Sequence, residues 1–375
     1  MKVNPKVWLI IWGSICLAVL CIAGCLTVKV DPFFHYHKPN TEAYFYPLNN
    51  ERSQNNGIVK RFDYDALITG TSMTENFKTS EAEELFGGHF IKVPFSGASF
   101  KEVNDNLKIA LEANSGLKMV IRGLDLNKLI EDKDLIREDL GEYPTYLYDQ
   151  NLLNDVKYVF NRDVFFGRVC PILKKSKEED AETGFTSFDK YMFWNNRYTF
   201  GIKSIYPDGI QFKEYGEPVA MTEEERKILI DNIRQNVTDL ADDHPEVTFY
   251  YFFTPFSAGW WKSLLEEGSF DKQLEAEKIT IEEILQHENI LLFSFNNNTD
   301  MITDLNNYKD ERHYGAWVNS YMLKEMSKGQ NRITRDNYQK YLEDEKTFYA
   351  SYDYTQLKDQ KDYKDDKKAA RKMRD

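Results

Sequence analysis

The sequence predicts an α/β protein: a three-layer, doubly wound, mostly parallel sheet of five strands that carries an insertion and follows an N-terminal transmembrane helix. Three observations lead to this prediction. Five short apolar runs alternate with helical patterns, which is typical of a parallel sheet. A long apolar run without charges lies near the N-terminus, and a stretch in the middle of the chain, 131–221, does not follow the alternation.

The apolar run covers residues 7–28, and a membrane-spanning helix needs about 20 such residues. Lys2 and Lys6 precede it, so the N-terminus is expected in the cytoplasm and the remainder of the chain outside the membrane. A cleaved signal is the alternative, and Ile22-Ala-Gly-Cys25 resembles a lipobox that would make Cys25 a lipidated N-terminus. Both alternatives predict an extracytoplasmic domain tethered to the membrane.

The strands are expected at 66–69, 90–95, 118–125, 247–253 and 290–295, and the helices at 74–86, 100–113, 222–243, 272–286 and from 310 to about 326. Thr222 and Glu225 form the pattern of a capping box at the start of one of these helices. The predicted organisation is a cytoplasmic N-terminus 1–6, an anchor 7–28, a juxtamembrane collar 29–60, a domain 61–330 with the insertion 131–221 over its active-site edge, and a charged tail 331–375.

Composition excludes several classes of function. The 375 residues carry a net charge of −13, whereas nucleic-acid binding needs a basic surface. Cys170 is the one cysteine outside the apolar run, so no disulfide can form within the outer domain. The sequence has no nucleotide-binding glycine motif, and His35 and His37 have a metal-like spacing but no evident third ligand. We therefore predict neither a cofactor nor a metal.

Polar residues follow the predicted strands at the edge where α/β sheets bind ligands. Ser72, Gly97, Asp125 and Thr254 come after four of the strands, and the segment 310–313 follows the fifth. Asp125 and Thr254, together with Arg122 at the end of the third strand, are the candidate substrate-binding residues. A charged residue at this position can equally form an ion pair in the rim of the sheet.

Ser72, His313 and Asp310 have the residue types of an acyl-transfer site. In such a site the histidine takes the proton of the serine hydroxyl, and the carboxylate orients the imidazole ring. The backbone N–H groups of Ser72 and Gly97 are the predicted donors to the oxyanion. The alternative for Ser72 and for Asp310 is a structural role as a helix cap.

These segments resemble a known family. Gly70-Thr-Ser72, Gly97 and Asp310-x-x-His313 resemble the first, second and fifth blocks of the SGNH (GDSL-like) hydrolase superfamily, over roughly residues 60–330. Asp31-Pro-Phe33 after the apolar run is similar to the membrane-anchored DltD-like and exopolysaccharide acetyltransferase-associated branch. The resemblance implies a Ser–His–Asp esterase or acyltransferase that acts on a cell-envelope glycan or teichoic-acid-like polymer, often beside a membrane-bound O-acyltransferase.

One position departs from the family pattern. The third block of the superfamily supplies an oxyanion-binding asparagine as Gly-x-Asn-Asp, whereas this chain has Gly123-Leu-Asp125-Leu. An ionised Asp125 would repel an oxyanion. Two alternatives to an enzyme therefore stay open: a catalytically silent SGNH-like scaffold that positions a glycan or a membrane acyltransferase, and a flavodoxin-like module in which Ser72 only caps a helix.

Overall fold

The structure is a computed structural model that describes residues 4–149 and 151–363. The chain forms two compact units. The first combines residues 1–62 with 142–187, and the second combines 63–141 with 188–375. The predicted insertion 131–221 is therefore not one piece, since its central part folds with the N-terminal segment.

The first unit begins with the helix Pro5–Val30. The Asn4 side chain accepts a hydrogen bond from the Lys6 backbone N–H, and proline at the first helical position suits this start because its missing N–H would have no partner there. By length and composition the helix can cross a membrane, since its 26 residues rise about 39 Å against a hydrocarbon core of about 30 Å. The direction of crossing stays a prediction.

The collar after this helix folds around a carboxylate. Asp31 ends the helix in the left-handed region, with φ 47°, and accepts hydrogen bonds from the backbone N–H groups of His35, Tyr36 and His37 at 3.0, 2.7 and 3.0 Å. The Tyr158 hydroxyl donates to the same carboxylate at 2.7 Å. Further elements of this unit are the helices Glu51–Arg61, Val156–Val159, Arg162–Val164 and Cys170–Lys175, the 3₁₀ turn Thr145–Leu147, the π-helical turn Phe165–Val169, and a parallel pairing of Phe45–Tyr46 with Gly184–Phe185.

In the described part of the second unit, six strands form one sheet. The strands are β1 Ala66–Gly70, β2 Phe90–Pro94, β3 Met119–Leu124, β4 Thr248–Phe253, β5 Ile290–Ser294 and β6 Arg332–Ile333. Five are parallel in the spatial order β2-β1-β3-β4-β5, and β6 pairs antiparallel with β5. This order reverses between β1 and β3, which is where doubly wound sheets bind their ligands.

The prediction of a mostly parallel α/β sheet is confirmed. All residues of β1 and β2 are buried, which explains why neither strand alternates between apolar and polar residues. The one charged residue among them, Lys92, donates to the carbonyls of Glu75 and Phe77. The capping box at Thr222 is also present. The helices are Thr79–Phe86, Phe100–Ala113, Ile202–Ile205, Glu223–Ile233, Asp239–Asp243, Ala258–Glu267, Phe270–Ile284, Thr299–Thr303, Ala316–Ser327 and Tyr338–Ser351. The shorter turns are Ser72–Thr74, Leu126–Lys128, Glu138–Leu140, Asn195–Arg197, Arg234–Thr238, Leu305–Asn307 and Tyr354–Asp359.

The structure differs from the predicted charged tail 331–375. This segment supplies the sixth strand, and its helix Tyr338–Ser351 buries Tyr341 and Glu345 in the second unit. The Tyr341 hydroxyl lies 2.6 Å from Glu277 Oε1 and 3.2 Å from Glu345 Oε1. Burial raises the pKa of Glu277 to about 7 and that of Glu345 well above its ordinary value. Residues 364–375 of the predicted tail lie outside the described residues.

Candidate active site

The turn after β1 places Ser72 at the carboxyl edge of the sheet. Gly70 has φ +142°, and a Cβ atom there would lie 2.7 Å from Thr74 Cγ2, so the close turn needs glycine. Thr71 is the cap of the 3₁₀ turn that follows, because its hydroxyl accepts from the Met73 N–H at 3.4 Å. The Ser72 hydroxyl is therefore not the cap of this turn, which disagrees with the helix-cap alternative.

A chain of hydrogen bonds joins Ser72, His313 and Asp310. Ser72 Oγ lies 2.8 Å from His313 Nε2, and His313 Nδ1 lies 2.8 Å from Asp310 Oδ2. When the ring carries its proton on Nδ1, it donates to Asp310, and Nε2 is free to accept the proton of the Ser72 hydroxyl. Ser72 lies 241 residues before His313 in the sequence, whereas Asp310 lies only three residues before it, and the two segments meet at the carboxyl edge of the sheet.

The turn that holds His313 is built around the Asp310 carboxylate. Asp310 Oδ1 accepts from the backbone N–H groups of Arg312 and His313 at 3.0 and 2.8 Å. Burial acts to raise the pKa of Asp310, but the hydrogen bonds and charge of His313 and the backbone hydrogen bonds outweigh it and lower this pKa to about 2. Tyr308 and Tyr314 pair across the base of the turn. Asp310 therefore stays ionised and orients both the turn and the ring.

Ser72, Gly97, Asp125 and His313 line one cavity of about 240 Å³. Drug-sized ligands occupy roughly 300–1,000 Å³, so this cavity suits a small group such as a short acyl chain. Its wall also contains the cationic side chains of Lys128, Arg137 and Arg312, which the sequence did not single out. Arg137 pairs with Asp139 at 2.7 Å, and Lys128 pairs with Glu131 at 3.0 Å.

The backbone conformation at Gly97 favours glycine, and its role as an oxyanion donor stays a prediction. Its φ is +69°, and a Cβ atom would lie 2.8 Å from Leu140 Cδ1, so another residue would be strained and crowded. Its carbonyl accepts from Arg137 Nη1 at 2.9 Å, which fixes the loop. Among the residues that the structure describes, no protein group accepts from the backbone N–H of Ser72 or of Gly97.

Asp125 lies in the same cavity and is only 4% exposed. The Thr71 hydroxyl donates to its Oδ2 at 2.6 Å, whereas its Oδ1 is buried and has no hydrogen-bond partner within the described chain. Burial raises the pKa of Asp125, and the Thr71 hydrogen bond and the charges of Lys128 and His313 oppose this rise only in part. The burial of Asp125 thus opposes the ionised state in which it would repel an oxyanion.

Arg122 and Thr254 do not line the cavity, and their role in substrate binding stays a prediction. The Arg122 guanidinium is fully buried between the rings of Phe100 and Tyr251, and it donates to the Asn236 carbonyl at 2.7 Å. Thr254 is also buried, and its N–H donates to the Leu124 carbonyl at 3.1 Å. Both residues hold elements of the unit together.

Trp194 is a site residue that the sequence did not single out. Its Nε1–H donates to the Ser72 carbonyl at 3.3 Å, and its ring meets that of His313 edge to face at 5.9 Å. Lys309 Nζ lies 4.3 Å from the centre of the Trp194 ring and 3.9 Å from that of Tyr198. The aromatic composition of 191–197 was the only available signal, and it could not show which ring would reach the serine.

Within the described residues, no group of three or more His, Cys, Asp or Glu side chains could hold a metal ion. His35 instead places Nε2 3.2 Å from Asp155. No protein-family model matches the chain, and no curated protein matches it in sequence.

Proposed function

We propose that the chain is a membrane-anchored extracytoplasmic serine acyl-ester hydrolase or O-acyltransferase with a three-layer SGNH-like fold. The observation that carries the proposal is the continuous hydrogen-bond chain from Ser72 Oγ through His313 to Asp310, with both links at 2.8 Å. Such a chain joins a nucleophile, a general base and the carboxylate that orients the base. The order of the parallel strands and the position of Ser72 after β1 support the SGNH-like fold.

The proposed reaction begins when Ser72 Oγ attacks the carbonyl carbon of an acyl ester. His313 Nε2 takes the hydroxyl proton, and the backbone N–H groups of Ser72 and Gly97 donate to the oxyanion. As the tetrahedral intermediate collapses, His313 returns this proton to the departing alcohol oxygen and leaves an acyl group on Ser72. Water or a sugar hydroxyl then attacks the acyl-enzyme, with His313 again acting as the base.

The proposed substrate is a cell-envelope glycan or a teichoic-acid-like polymer. This part of the proposal is supported by the resemblance of the motifs and by the helix Pro5–Val30, whose length and composition suit a membrane anchor. The helix continues past Cys25 without a break, which favours an uncleaved anchor over a lipoprotein modified at that cysteine. A membrane-bound O-acyltransferase is the proposed protein partner.

A catalytically silent scaffold is the second candidate, and Asp125 is the residue that favours it. This carboxyl group lies in the cavity beside Ser72, where the family pattern has an asparagine that binds the oxyanion. If Asp125 is charged during the reaction, it repels the oxyanion and the triad has little catalytic power. The chain would then position a glycan or a membrane acyltransferase.

Labelling with a fluorophosphonate probe separates these two functions. We expect the full-length protein to be labelled covalently and Ser72→Ala to remain unlabelled, because the probe reacts with a serine activated by a neighbouring base. Ser351→Ala is a matched control, since that hydroxyl is exposed and bonds only within its own helix. An unlabelled wild-type chain, or equal labelling of wild type and Ser72→Ala by mass spectrometry, would contradict the hydrolase.

A further inference from the structure

Several large apolar side chains of the first unit are more than half exposed within the part of the chain that the structure describes. Leu152, Leu153, Val156, Phe160 and Phe166 are 52% to 85% exposed. We call these five residues the apolar patch. Single exposed apolar residues are ordinary, but a group of this size within one short segment indicates a surface that contacts something other than water.

The patch is continuous with the surface of the N-terminal helix. Gly24 of this helix approaches the patch so closely that a Cβ atom would lie 3.1 Å from Phe160 Cε1 and 3.2 Å from Val159 Cγ1. From Lys6 to Gly24 the helix rises about 27 Å, close to the hydrocarbon thickness of about 30 Å. If Lys6 lies at one boundary of the bilayer, Gly24 and Phe160 therefore lie near the other.

The charge of the segment fits an anionic surface. Residues 151–175 contain five Lys or Arg and two Asp, a net charge of +3 within a chain whose net charge is −13. A segment with exposed Leu and Phe beside Lys and Arg is typical of protein surfaces that lie in the interface of a bilayer. Basic residues near such a surface are attracted to anionic headgroups.

We propose that the apolar patch inserts into the headgroup and acyl-chain boundary of an anionic bilayer, so that the first unit is embedded in the membrane by more than its helix. This inference rests on the proposed membrane anchoring. The occupant is lipid, because the patch adjoins the helix at the depth where the bilayer ends. A patch of this kind fixes the height and tilt of the first unit at the membrane surface.

Fluorescence quenching in nanodiscs tests this inference with the full-length chain. Three variants each carry a single cysteine, to which an environment-sensitive fluorophore is attached. In two of them all four native cysteines are replaced by serine, and Leu153→Cys or Lys227→Cys is added, the latter on an exposed face of the second unit. The third retains Cys21 within the helix and has the other three cysteines replaced. In nanodiscs of phosphatidylglycerol and phosphatidylethanolamine with nitroxide-labelled lipid, we expect the labels at 153 and 21 to lose their emission and the label at 227 to keep it.

The labels also separate failure of the inference from failure of the anchor. A quenched label at 21 with an unquenched label at 153 overturns the inference and leaves the anchor intact. Absence of quenching at both positions overturns the anchor, and the inference with it. Disulfide cross-linking of two chains through Leu153→Cys, together with weak quenching, would assign the patch to a second copy of the chain and also overturn it.

A second, independent inference concerns Asp125 in the second unit, whose Oδ1 has no hydrogen-bond partner in the described chain. It rests on the proposed hydrolase activity. We propose that Asp125 is a protonated carboxylic acid whose Oδ1–H donates to the oxyanion, in addition to the N–H groups of Ser72 and Gly97. The Thr71 hydroxyl occupies Oδ2, so the proton belongs on Oδ1, the oxygen that has no partner in the described chain. An ionised carboxyl would instead bury an uncompensated charge on this oxygen.

The groups around Asp125 decide its protonation state. The side-chain hydrogen bonds of Thr71 and Thr254 and the charges of Lys128 and His313 favour the ionised form of Asp125. Lys128 is itself paired with Glu131, whose charge acts in the opposite direction, and the buried hydroxyl of Tyr314 also faces Asp125 and stays neutral because its pKa is well above its ordinary value. Burial favours the neutral form and is the largest effect on the pKa. A carboxylic acid held neutral in this way donates a hydrogen bond as an asparagine amide does. The proton stays on Asp125 throughout, so the oxyanion gains a hydrogen bond without any proton transfer.

Two substitutions and one spectrum test this role. Asp125→Ala is expected to lower kcat for a small acyl ester by about 10²–10³-fold, the usual cost of losing one oxyanion donor. Asp125→Asn retains a donor that does not titrate, so the ratio of its kcat/KM to that of wild type should rise as pH increases through the pKa of Asp125. The infrared difference spectrum between wild type and Asp125→Asn at pH 7 should contain a band of a neutral carboxyl group.

Three results would overturn the donor role. The first is Asp125→Ala with wild-type kcat. The second combines two findings: the neutral carboxyl band is absent, and Asp125→Asn is more active than wild type by the same factor at every pH. Together they would show that Asp125 is ionised and opposes the reaction. The third is a wild-type chain that shows the neutral carboxyl band but neither hydrolyses esters nor reacts with the fluorophosphonate. In that case Asp125 is protonated without serving a reaction, and the proposed hydrolase function fails as well.

Discussion

Replacement of His313 by alanine is expected to lower kcat for a small acyl ester by about 10⁶-fold, to the level of Ser72→Ala. Residues that act as one unit in a serine hydrolase show such losses when either is removed. Without the ring, no base in the site accepts the Ser72 proton at 2.8 Å, and a hydroxyl with an ordinary pKa is a poor nucleophile. The loss corresponds to about 8 kcal/mol in activation free energy.

Single-turnover hydrolysis of a nitrophenyl ester measures this loss of rate. The double variant Ser72→Ala/His313→Ala should be no slower than either single variant. His244→Ala is the matched control, because His244 contacts Glu246 in a loop and does not line the cavity. Thermal unfolding checks that the His313 variant is folded. A kcat within tenfold of wild type would show that His313 does not act as the base.

The sequence predicts the strands better than what surrounds them. The five parallel strands lie within one or two residues of their predicted bounds, because buried parallel strands have continuous apolar sequences that end at turn residues. The sixth strand, Arg332–Ile333, has two residues and is too short to produce a pattern. The sequence of the helix Tyr338–Ser351 is that of a charged surface helix, since tyrosines and a glutamate, rather than aliphatic residues, supply its buried face.

In the site, too, the residues that can be predicted are those whose positions depend on nearby sequence, whereas those placed by long-range packing are missed. Gly70 ends β1, and Ser72 and Gly97 follow β1 and β2 within three residues, so strand prediction locates them at the sheet edge. The side chain of Arg122 is buried within the unit, because side chains alternate across a strand, and its face could not be read from a run that is buried on both sides. Trp194 reaches Ser72 through tertiary packing of an irregular segment, for which periodicity gives no information.

The second large effect is expected for Asp310→Asn, which should lower kcat by about 10⁴-fold although the substitution changes one atom. Asp310 Oδ1 accepts from the N–H groups of Arg312 and His313, so an asparagine keeps its oxygen there and places its amide NH₂ at the position of Oδ2, 2.8 Å from His313 Nδ1. Nδ1 also lies 2.9 Å from Oδ1, but a proton on Nδ1 would then face the amide N–H. We therefore expect Nδ1 to accept from the amide and the proton of the neutral ring to move to Nε2. A protonated Nε2 cannot take the proton of Ser72.

The pH dependence separates this tautomer effect from a loss of charge. The pKa of Asp310 is about 2, so the carboxylate is ionised at all pH values above that and its protonation cannot limit activity near neutrality. Because this pKa is lowered on folding, the stability that the ionised group contributes is complete above its ordinary value of 3.8 and is lost as pH falls toward 2. The stability of Asp310→Asn should therefore approach that of wild type only in this acidic range.

Nitrogen NMR of His313 should show the proton on Nδ1 in wild type and on Nε2 in the variant. An unchanged tautomer, or a kcat within tenfold of wild type, would mean that Asp310 holds the turn without orienting the base.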